Sequence, residues 1–201
     1  MYSFDHSCHR GGRARTGAVI ARRATTALSL VLLAAAMARP AVPAAALPTD
    51  YEVKAAFLYN FAKFVRWPDD AAGGSSFVLA IVGDDPFGTV IDRAFQGKTV
   101  LGRPVEIRRT RLVREAAGAQ MAFIGSSERA HLPEVLAALK GGSVLTVGDM
   151  DRFADGGGMV GFRLKDSTVR FELNLRELRQ ARLQMSSQII RLAQRVIEDG
   201  G

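Results

Sequence analysis

The segment FVLAIVG, residues 77–83, decides the fold class of this chain. It is an uninterrupted apolar run of strand length, which is typical of a strand buried on both faces of a sheet. Similar runs follow at MAFIG, residues 121–125, and SVLTVG, residues 143–148, with helical patterns between them. Strands that alternate with helices predict an α/β domain with a largely parallel sheet covered on both faces.

The C-terminal part of the chain departs from this alternation. MVGFRL and TVRFELN flank Lys165-Asp166-Ser167 and predict a β-hairpin. From Leu175 to about Ile197 the apolar residues recur at steps of three and four, which predicts one long helix. The stripe formed by these residues is expected either to pack on the sheet or to contact another chain. It comprises Leu175, Leu178, Arg182, Met185, Ile189, Leu192 and Val196, with Arg182 as a polar interruption.

Together these patterns predict a single three-layer α/β domain. Its sheet is expected to be mostly parallel, with five or six strands, a C-terminal β-hairpin and a long C-terminal helix.

The segment before the first strand, YEVKAAFLYNFAKFVRWPDD, holds six of the fifteen aromatic residues. Its apolar positions follow a helical period. Thr49 or Asp50 is available as an N-cap, and Pro68 ends the pattern. Charged and amide side chains interrupt the run too often for a bilayer. We therefore predict a helix buried in the core.

The first 46 residues have the order of a secretory signal peptide. Arginines lead, an uncharged run follows at residues 24–38, and Ala-x-Ala cleavage sites end at Ala38 and Ala46. A retained N-terminal anchor is the alternative, although the run is shorter than the roughly 20 residues that span a bilayer. We predict a signal peptide at residues 1–46, a domain at residues 47–201, and export of that domain; a periplasmic location is implied only by the family resemblance given below.

Removal of this leader changes the charge balance. The whole chain has 27 basic and 20 acidic residues, and the leader accounts for six arginines and one aspartate. The remainder is close to neutral, with only a local arginine cluster at residues 103–114, whereas nucleic-acid binding needs an extended basic face. No nucleic-acid partner is predicted.

Groups for catalysis and metal binding are scarce. Cys8 lies in the leader, and His131 is the one histidine outside it. A thiolate metal site and a histidine-based triad are therefore not expected. We predict that His131 lies on the surface, and that the protein has no catalytic residue, no cofactor and no metal.

Two loops with aspartates are the remaining candidates for ligand binding. GDDPFG, residues 83–88, follows a buried strand and is expected to open a helix at Pro86, where α/β proteins bind anions. Asp84 and Asp85 place negative charge there, so one of them is better interpreted as a helix cap. GDMDRFADGGG, residues 148–158, resembles a calcium loop but lacks its glycine and glutamate.

Four segments together resemble the YfiR-like family, over Tyr51 to about Arg195. They are YEVKAAFLYNFAKFVRWP, VLAIVGDDPFG, QGKTVLGRPVEI, and GGGMVGFRLKDSTVRFELN with the following SSQIIRLA. The resemblance implies an exported α/β regulator, a homodimer, that binds the periplasmic domain of an inner-membrane diguanylate cyclase and lowers cyclic di-GMP output. Disulfides known in this family cannot form here, because the chain after the leader has no cysteine.

We predict that the hairpin and the start of the last helix form the partner-binding surface. Val169, Phe171 and Leu173 should point to one face of their strand and Glu172 to the other. In this interpretation Glu172 is exposed, with Val160 and Leu178 as its apolar surround; both are alternatively ordinary core residues.

A small-ligand binding module is the second hypothesis. Its pocket would be formed by GDDPFG and the aromatic residues of helix 51–67. A hydrolase is a distant third, because no nucleophile with a base is evident.

Overall fold

The computed structural model describes residues 48–69 and 73–198. The predicted signal peptide, residues 1–46, lies outside the described residues. Among the helices of the described part, none has the length and apolar character that crossing a membrane requires.

Helix α1, Asp50–Phe64, is the predicted aromatic helix. Thr49 caps it in a capping box: its hydroxyl accepts from the Glu52 amide, and the Glu52 carboxylate accepts from the Thr49 amide. One face is fully buried, as predicted for a core helix, at Ala55, Leu58, Phe61 and Ala62.

The helix ends earlier than Pro68. Strand β1, Val65–Arg66, follows directly and pairs antiparallel with β9, Gln184–Met185, from near the C-terminus. The Ser186 amide donates to the Phe64 carbonyl oxygen over 3.0 Å. Tertiary pairing therefore ends the helix, and Trp67 beyond it is buried, with its indole N–H donating to the Gln120 carbonyl oxygen at 3.2 Å.

The main sheet has eight strands in the order β10-β8-β7-β6-β5-β2-β4-β3. The central strands β4, β2, β5, β6 and β7 are parallel to one another, and β3 and β8 are antiparallel to their neighbours β4 and β7. The strands are β2, Phe77–Val82; β3, Thr99–Val100; β4, Arg103–Thr110; β5, Met121–Ile124; β6, Leu145–Gly148; β7, Val160–Lys165; β8, Thr168–Asn174; and β10, Arg195–Ile197.

Helices cover both faces of this sheet. In β2, Phe77, Leu79 and Ile81 belong to a core cluster with α1 and with α2, Thr89–Phe95. The alternate residues of β2 belong to a second cluster with α3, Leu132–Leu139, and with Met150 and Phe153. This agrees with a strand buried on both faces and with a sheet between two helical layers.

The main sheet has eight strands, whereas five or six were predicted. The strands that the sequence did not indicate are the short ones of two or three residues, β1, β3, β9 and β10. A pattern of two or three residues carries too little periodicity to be recognised.

The predicted long C-terminal helix is wrong. Residues 175–197 form α4, Leu175–Gln180; β9; α5, Ser187–Ile190; and β10. The chain leaves α4 through Arg182, two residues after the last helical residue Gln180, with a left-handed φ of +59°. The Leu183 amide donates to the Leu178 carbonyl oxygen at 2.9 Å. This is a Schellman motif, and the leucines at its two ends are both buried.

Candidate partner-binding surface

The hairpin β7–β8 presents one apolar and one polar face, as its alternating sequence predicts. Val169, Phe171 and Leu173 are buried, and Phe171 packs on Phe57 and Phe61 of α1 with ring centroids 5.4 and 5.1 Å apart. The turn residues Asp166 and Ser167 have φ of 48° and 55°, as in a type I′ hairpin turn. The face of Arg170 and Glu172 is therefore turned away from α1.

Glu172 lies in an ion-pair network on that polar face, but its side chain is only 13% exposed, so the prediction of an exposed Glu172 is wrong. Arg195 of β10 donates from Nη2 and Nε to the two Glu172 carboxylate oxygens at 3.0 and 3.2 Å. The same Nη2 contacts both oxygens of Asp155 at 2.9 Å. The hydrogen bonds to Glu172 and then to Asp155 raise the pKa of Arg195. The network joins β8, β10 and the loop after β6.

Two further arginines extend this surface along the hairpin. Arg163 and Arg170 are directly opposite each other on β7 and β8. Arg163 pairs with Asp151 at 3.0 Å, whereas Arg170 is exposed and makes no ion pair within the described residues. A groove of about 390 Å³ lies between Arg170, the hairpin turn and residues 192–194, and Leu192 at its rim is 62% exposed.

Val160 and Leu178 do not reach this surface. They are 0% and 1% exposed and belong to the main core cluster. Val160 is opposite Leu173 in the β7–β8 register, so its side chain points to the face opposite that of Glu172. The prediction that these two residues form an apolar surround of Glu172 is wrong. The alternative interpretation, that they are ordinary core residues, is confirmed.

Sequence reasoning missed Arg195 and Asp155 as neighbours of Glu172. The pairing of β10 with β8 places Arg195 beside Glu172, and that pairing is tertiary. The apolar spacing predicts a helix from Leu175 to about Ile197, so no sequence signal connects these three side chains.

The aspartates of the loop after β6 do not converge on one point. Asp149 pairs with Lys54 at 2.7 Å, while Asp151 and Asp155 pair with the arginines already described. Within residues 48–69 and 73–198, no three His, Cys, Asp or Glu residues are grouped to hold a metal ion. His131 is exposed, as predicted.

The end of β2 is occupied by protein groups. Asp84 pairs with Arg111 at 2.9 Å and Asp85 with Arg109 at 2.8 Å. The predicted helix start at Pro86 is wrong, because α2 begins at Thr89 after Gly88, and Asp85 instead accepts from the Phe87 amide at 2.7 Å. This hydrogen bond fixes a local turn ahead of the helix.

Side chains of the 3-10 helix that follows β5, Ser126–His131, occupy the crevice beside Gly83. The Ser127 hydroxyl accepts from the Asp84 amide at 2.9 Å. A Cβ atom on Gly83 would lie 2.4 Å from that hydroxyl oxygen and 2.7 Å from a Glu128 carboxylate oxygen. Ligands of open α/β sheets bind in such crevices, and here Ser127 and Glu128 take the space.

The aromatic rings of α1 are packed against other rings. Tyr51 contacts Phe87 with centroids 5.3 Å apart, and Tyr59 contacts Phe95 at 5.6 Å, both edge to face. Phe61 is fully buried. Most of these rings therefore pack in or against the main core cluster, while Phe64 at the end of the helix is 37% exposed.

Comparison with known proteins identifies a family. A family model described as YfiR/HmsC-like matches residues 51–194. No curated protein matches the chain.

Two solved structures resemble the fold. One is a conserved domain protein from Vibrio cholerae O1 biovar El Tor strain N16961, with a TM-score of 0.54, 7% identity, and 74% of this chain covered. The other is an ABC domain from Streptococcus pneumoniae in complex with L-Trp, with a TM-score of 0.45, 10% identity, and coverage of 60% of this chain and 55% of that one. The match spans 60% of the length of the Vibrio protein.

At 7% identity, the likeness to the Vibrio protein concerns the fold alone. The family match is different in kind, because it is made on the sequence and runs from the start of α1 to the residue before β10. This chain belongs to the YfiR/HmsC-like family.

Proposed function

We propose that this protein is an exported regulator that binds the periplasmic domain of an inner-membrane diguanylate cyclase and restrains it, lowering cyclic di-GMP output. The observation that carries the proposal is the family match over residues 51–194, since members of this family are periplasmic regulators of such cyclases. The proposal includes a signal peptide at residues 1–46 and a homodimer. Cell fractionation and light scattering of the purified protein test these two parts.

The polar face of the hairpin is the surface we assign to the partner. Restraint requires a surface that binds one conformation of the cyclase more tightly than the other, because a ligand shifts an equilibrium only by its differential affinity. Arg170 offers an exposed cation, and the exposed Leu192 lies across the groove from it. Charged groups at such a surface contribute mainly to specificity and to the association rate.

Arg170→Glu tests this surface most directly. Because Arg170 is exposed and unpaired in the described part of the chain, we expect its charge reversal to leave the urea midpoint unchanged. We expect it to weaken binding to the cyclase periplasmic domain by about tenfold, or about 1.4 kcal/mol. Arg129→Glu is the matched control, since Arg129 is also exposed but lies in the 3-10 helix of residues 126–131. If both variants and the wild type bound the cyclase domain with equal affinity, the assignment of this surface to the partner would be rejected.

Glu172→Lys is the second test, and it requires a stability measurement beside it. The new ammonium group would face Arg195, so the ion-pair network between β8 and β10 would open as well. We expect weaker partner binding and a lower urea midpoint together. Val160 and Leu178 contribute to the same site only by packing the strand and helix beneath it.

The regulatory part of the proposal is tested in cells. Deletion of the gene should raise cyclic di-GMP, and complementation with Arg129→Glu but not with Arg170→Glu should restore the low level. A deletion that leaves cyclic di-GMP unchanged would contradict restraint of a cyclase, whatever the protein binds.

A further inference from the structure

A cavity of about 140 Å³ lies between α3, β6 and α4, away from the polar face of the hairpin. Protein interiors contain few voids larger than a water molecule. An engineered apolar cavity of about 150 Å³ is large enough to bind benzene. Its lining combines apolar and polar groups; the side chains that matter here are Leu136, Leu139, Val144, Met159, Thr146 and Glu177.

Glu177 places in this cavity a carboxylate that has an ion pair with Arg176 but, within the described residues, no hydrogen-bond donor. Its side chain is 10% exposed, and the nearest cation, Arg176 Nε, lies 3.4 Å from Oε1 without forming a hydrogen bond. Within the described residues the carboxylate accepts no hydrogen bond, although the Glu177 amide is capped by Asn174 Oδ1 at 3.2 Å. Removal of a carboxylate from water is costly unless a cation or hydrogen-bond donors compensate it.

We propose that this cavity binds a small primary ammonium compound, with the ammonium group on Glu177 and an apolar body of about the size of a benzene ring against the leucines. An ammonium group supplies three hydrogen-bond donors, which the ion pair with Arg176 does not provide. The Thr146 hydroxyl lies in the same wall. Lys140, the other charged residue of the lining, is exposed, so that solvent screens its repulsion.

The cavity is connected to the polar face by a series of hydrogen bonds that involve both backbone and side-chain atoms. Met159 in the cavity wall donates its amide to Thr146 Oγ1 at 3.1 Å and accepts from the Asn174 amide at 2.8 Å. Asn174 Nδ2 donates to the Ala154 carbonyl oxygen at 2.9 Å. The next residue, Asp155, binds Arg195. Ligand binding therefore acts on the loop that holds the ion-pair network, and its effect on the cyclase rests on the proposed function.

Calorimetric titration of the purified full domain with benzylamine tests the site. We expect wild type to bind benzylamine at least about tenfold more tightly than Glu177→Gln, which keeps the shape and the backbone cap. Benzyl alcohol, the neutral analogue, should not distinguish the two proteins. Equal benzylamine affinity of both proteins, or equal affinity of wild type for amine and alcohol, would overturn the proposal.

A second variant keeps the test valid if Glu177→Gln folds poorly. Ala181 lines the cavity, so Ala181→Leu should fill it while leaving the carboxylate in place. We expect this variant to lose benzylamine binding. Retained binding would place the ligand elsewhere and reject the cavity.

Coupling is measured separately from the cyclase. Addition of benzylamine should shift the NMR amide signals of Asp155 and Glu172 in wild type and not in Ala181→Leu. If benzylamine shifted these amide signals without changing the affinity for the cyclase domain, the ligand site would stand, but its role in the proposed function would be contradicted. Absence of both the binding and the shifts would reject the site while leaving the proposed function intact.

Discussion

At the scale of single residues, Asp149 shows how this fold neutralises a charge that it buries. Its Oδ2 accepts from Lys54 Nζ at 2.7 Å and from the Tyr51 hydroxyl at 3.1 Å, and its side chain is 8% exposed. The Lys54 ammonium also lies 4.2 Å from the centroid of the Tyr51 ring. Burial, and then the Asp149 charge, raise the pKa of Tyr51 to about 12.

This shift predicts an alkaline dependence of stability. The pKa of Tyr51 is higher in the folded state than in the unfolded state, where it is about 10. The contribution of Tyr51 is therefore complete below pH 10 and is lost as the pH rises towards 12. Comparison of wild type with Tyr51→Phe in urea unfolding should show a difference that narrows over this range.

Absorbance of the phenolate measures the same pKa directly. In Asp149→Asn we expect the pKa of Tyr51 to fall but to stay above its ordinary value, because burial remains. A native Tyr51 that titrates near its ordinary value in wild type would contradict the hydrogen bond to Asp149.

Residue-scale prediction from the sequence succeeded where local periodicity is sufficient. The period of two placed Arg170 and Glu172 on the polar face and Phe171 on the buried one. It did not identify Arg195 or Asp155, since their positions depend on strand pairing between distant segments. Two of the three residues of the ion-pair network therefore could not be predicted before the fold was known.

At the scale of elements, the C-terminal segment shows why a 3-4 spacing is insufficient for a helix. Leu178, Met185 and Ile189 are apolar because each of three separate elements packs into the core. The residues between them break the helix: Arg182 adopts a left-handed φ, and Ser186 is extended ahead of α5. Serine favours such helix starts over helix interiors.

A pair of proline substitutions tests the junction between β9 and α5. Ser186 has φ −65°, which proline tolerates. Ser186→Pro therefore removes the amide donor to Phe64 and a buried hydroxyl that has no hydrogen-bond partner in the described part of the chain. We expect a loss of about 1–3 kcal/mol in the free energy of unfolding, since the Phe64 carbonyl oxygen loses its partner.

Ser187→Pro is the matched control, because proline is favoured at the first position of a helix. It should change the urea midpoint little. If both variants had the same midpoint, the hydrogen bond from Ser186 to Phe64 would be unimportant for stability.

At the scale of the whole molecule, the centre of the sheet was predictable and its margins were not. The strands β2, β5 and β6 are buried along their whole length, so their sequences are continuous apolar runs. The hairpin β7–β8 was recognised from its alternation and turn. The outer strands β3 and β10 are too short for either signal.

Deletion of residues 194–201 tests the role of β10 as an edge strand. The deletion leaves β8 with an unpaired edge and removes Arg195 from Glu172 and Asp155. We expect a lower urea midpoint, by about 1–3 kcal/mol in unfolding free energy, and self-association through the open edge. Deletion of residues 199–201 alone, which keeps β10, should have neither effect. Unchanged stability and an unchanged oligomeric state after the longer deletion would show that β10 does not protect this edge.

The antiparallel pair of β1 and β9 also bears on the order in which the chain folds. Val65 and Met185 pair although they lie near opposite ends of the described chain. The strand that follows α1 therefore lacks its partner until residues 184 and 185 have been synthesised. Contacts so remote in sequence slow folding, because the connecting chain must first lose its freedom. The end of α1 should therefore reach its final structure only after residues 184–186 have been synthesised.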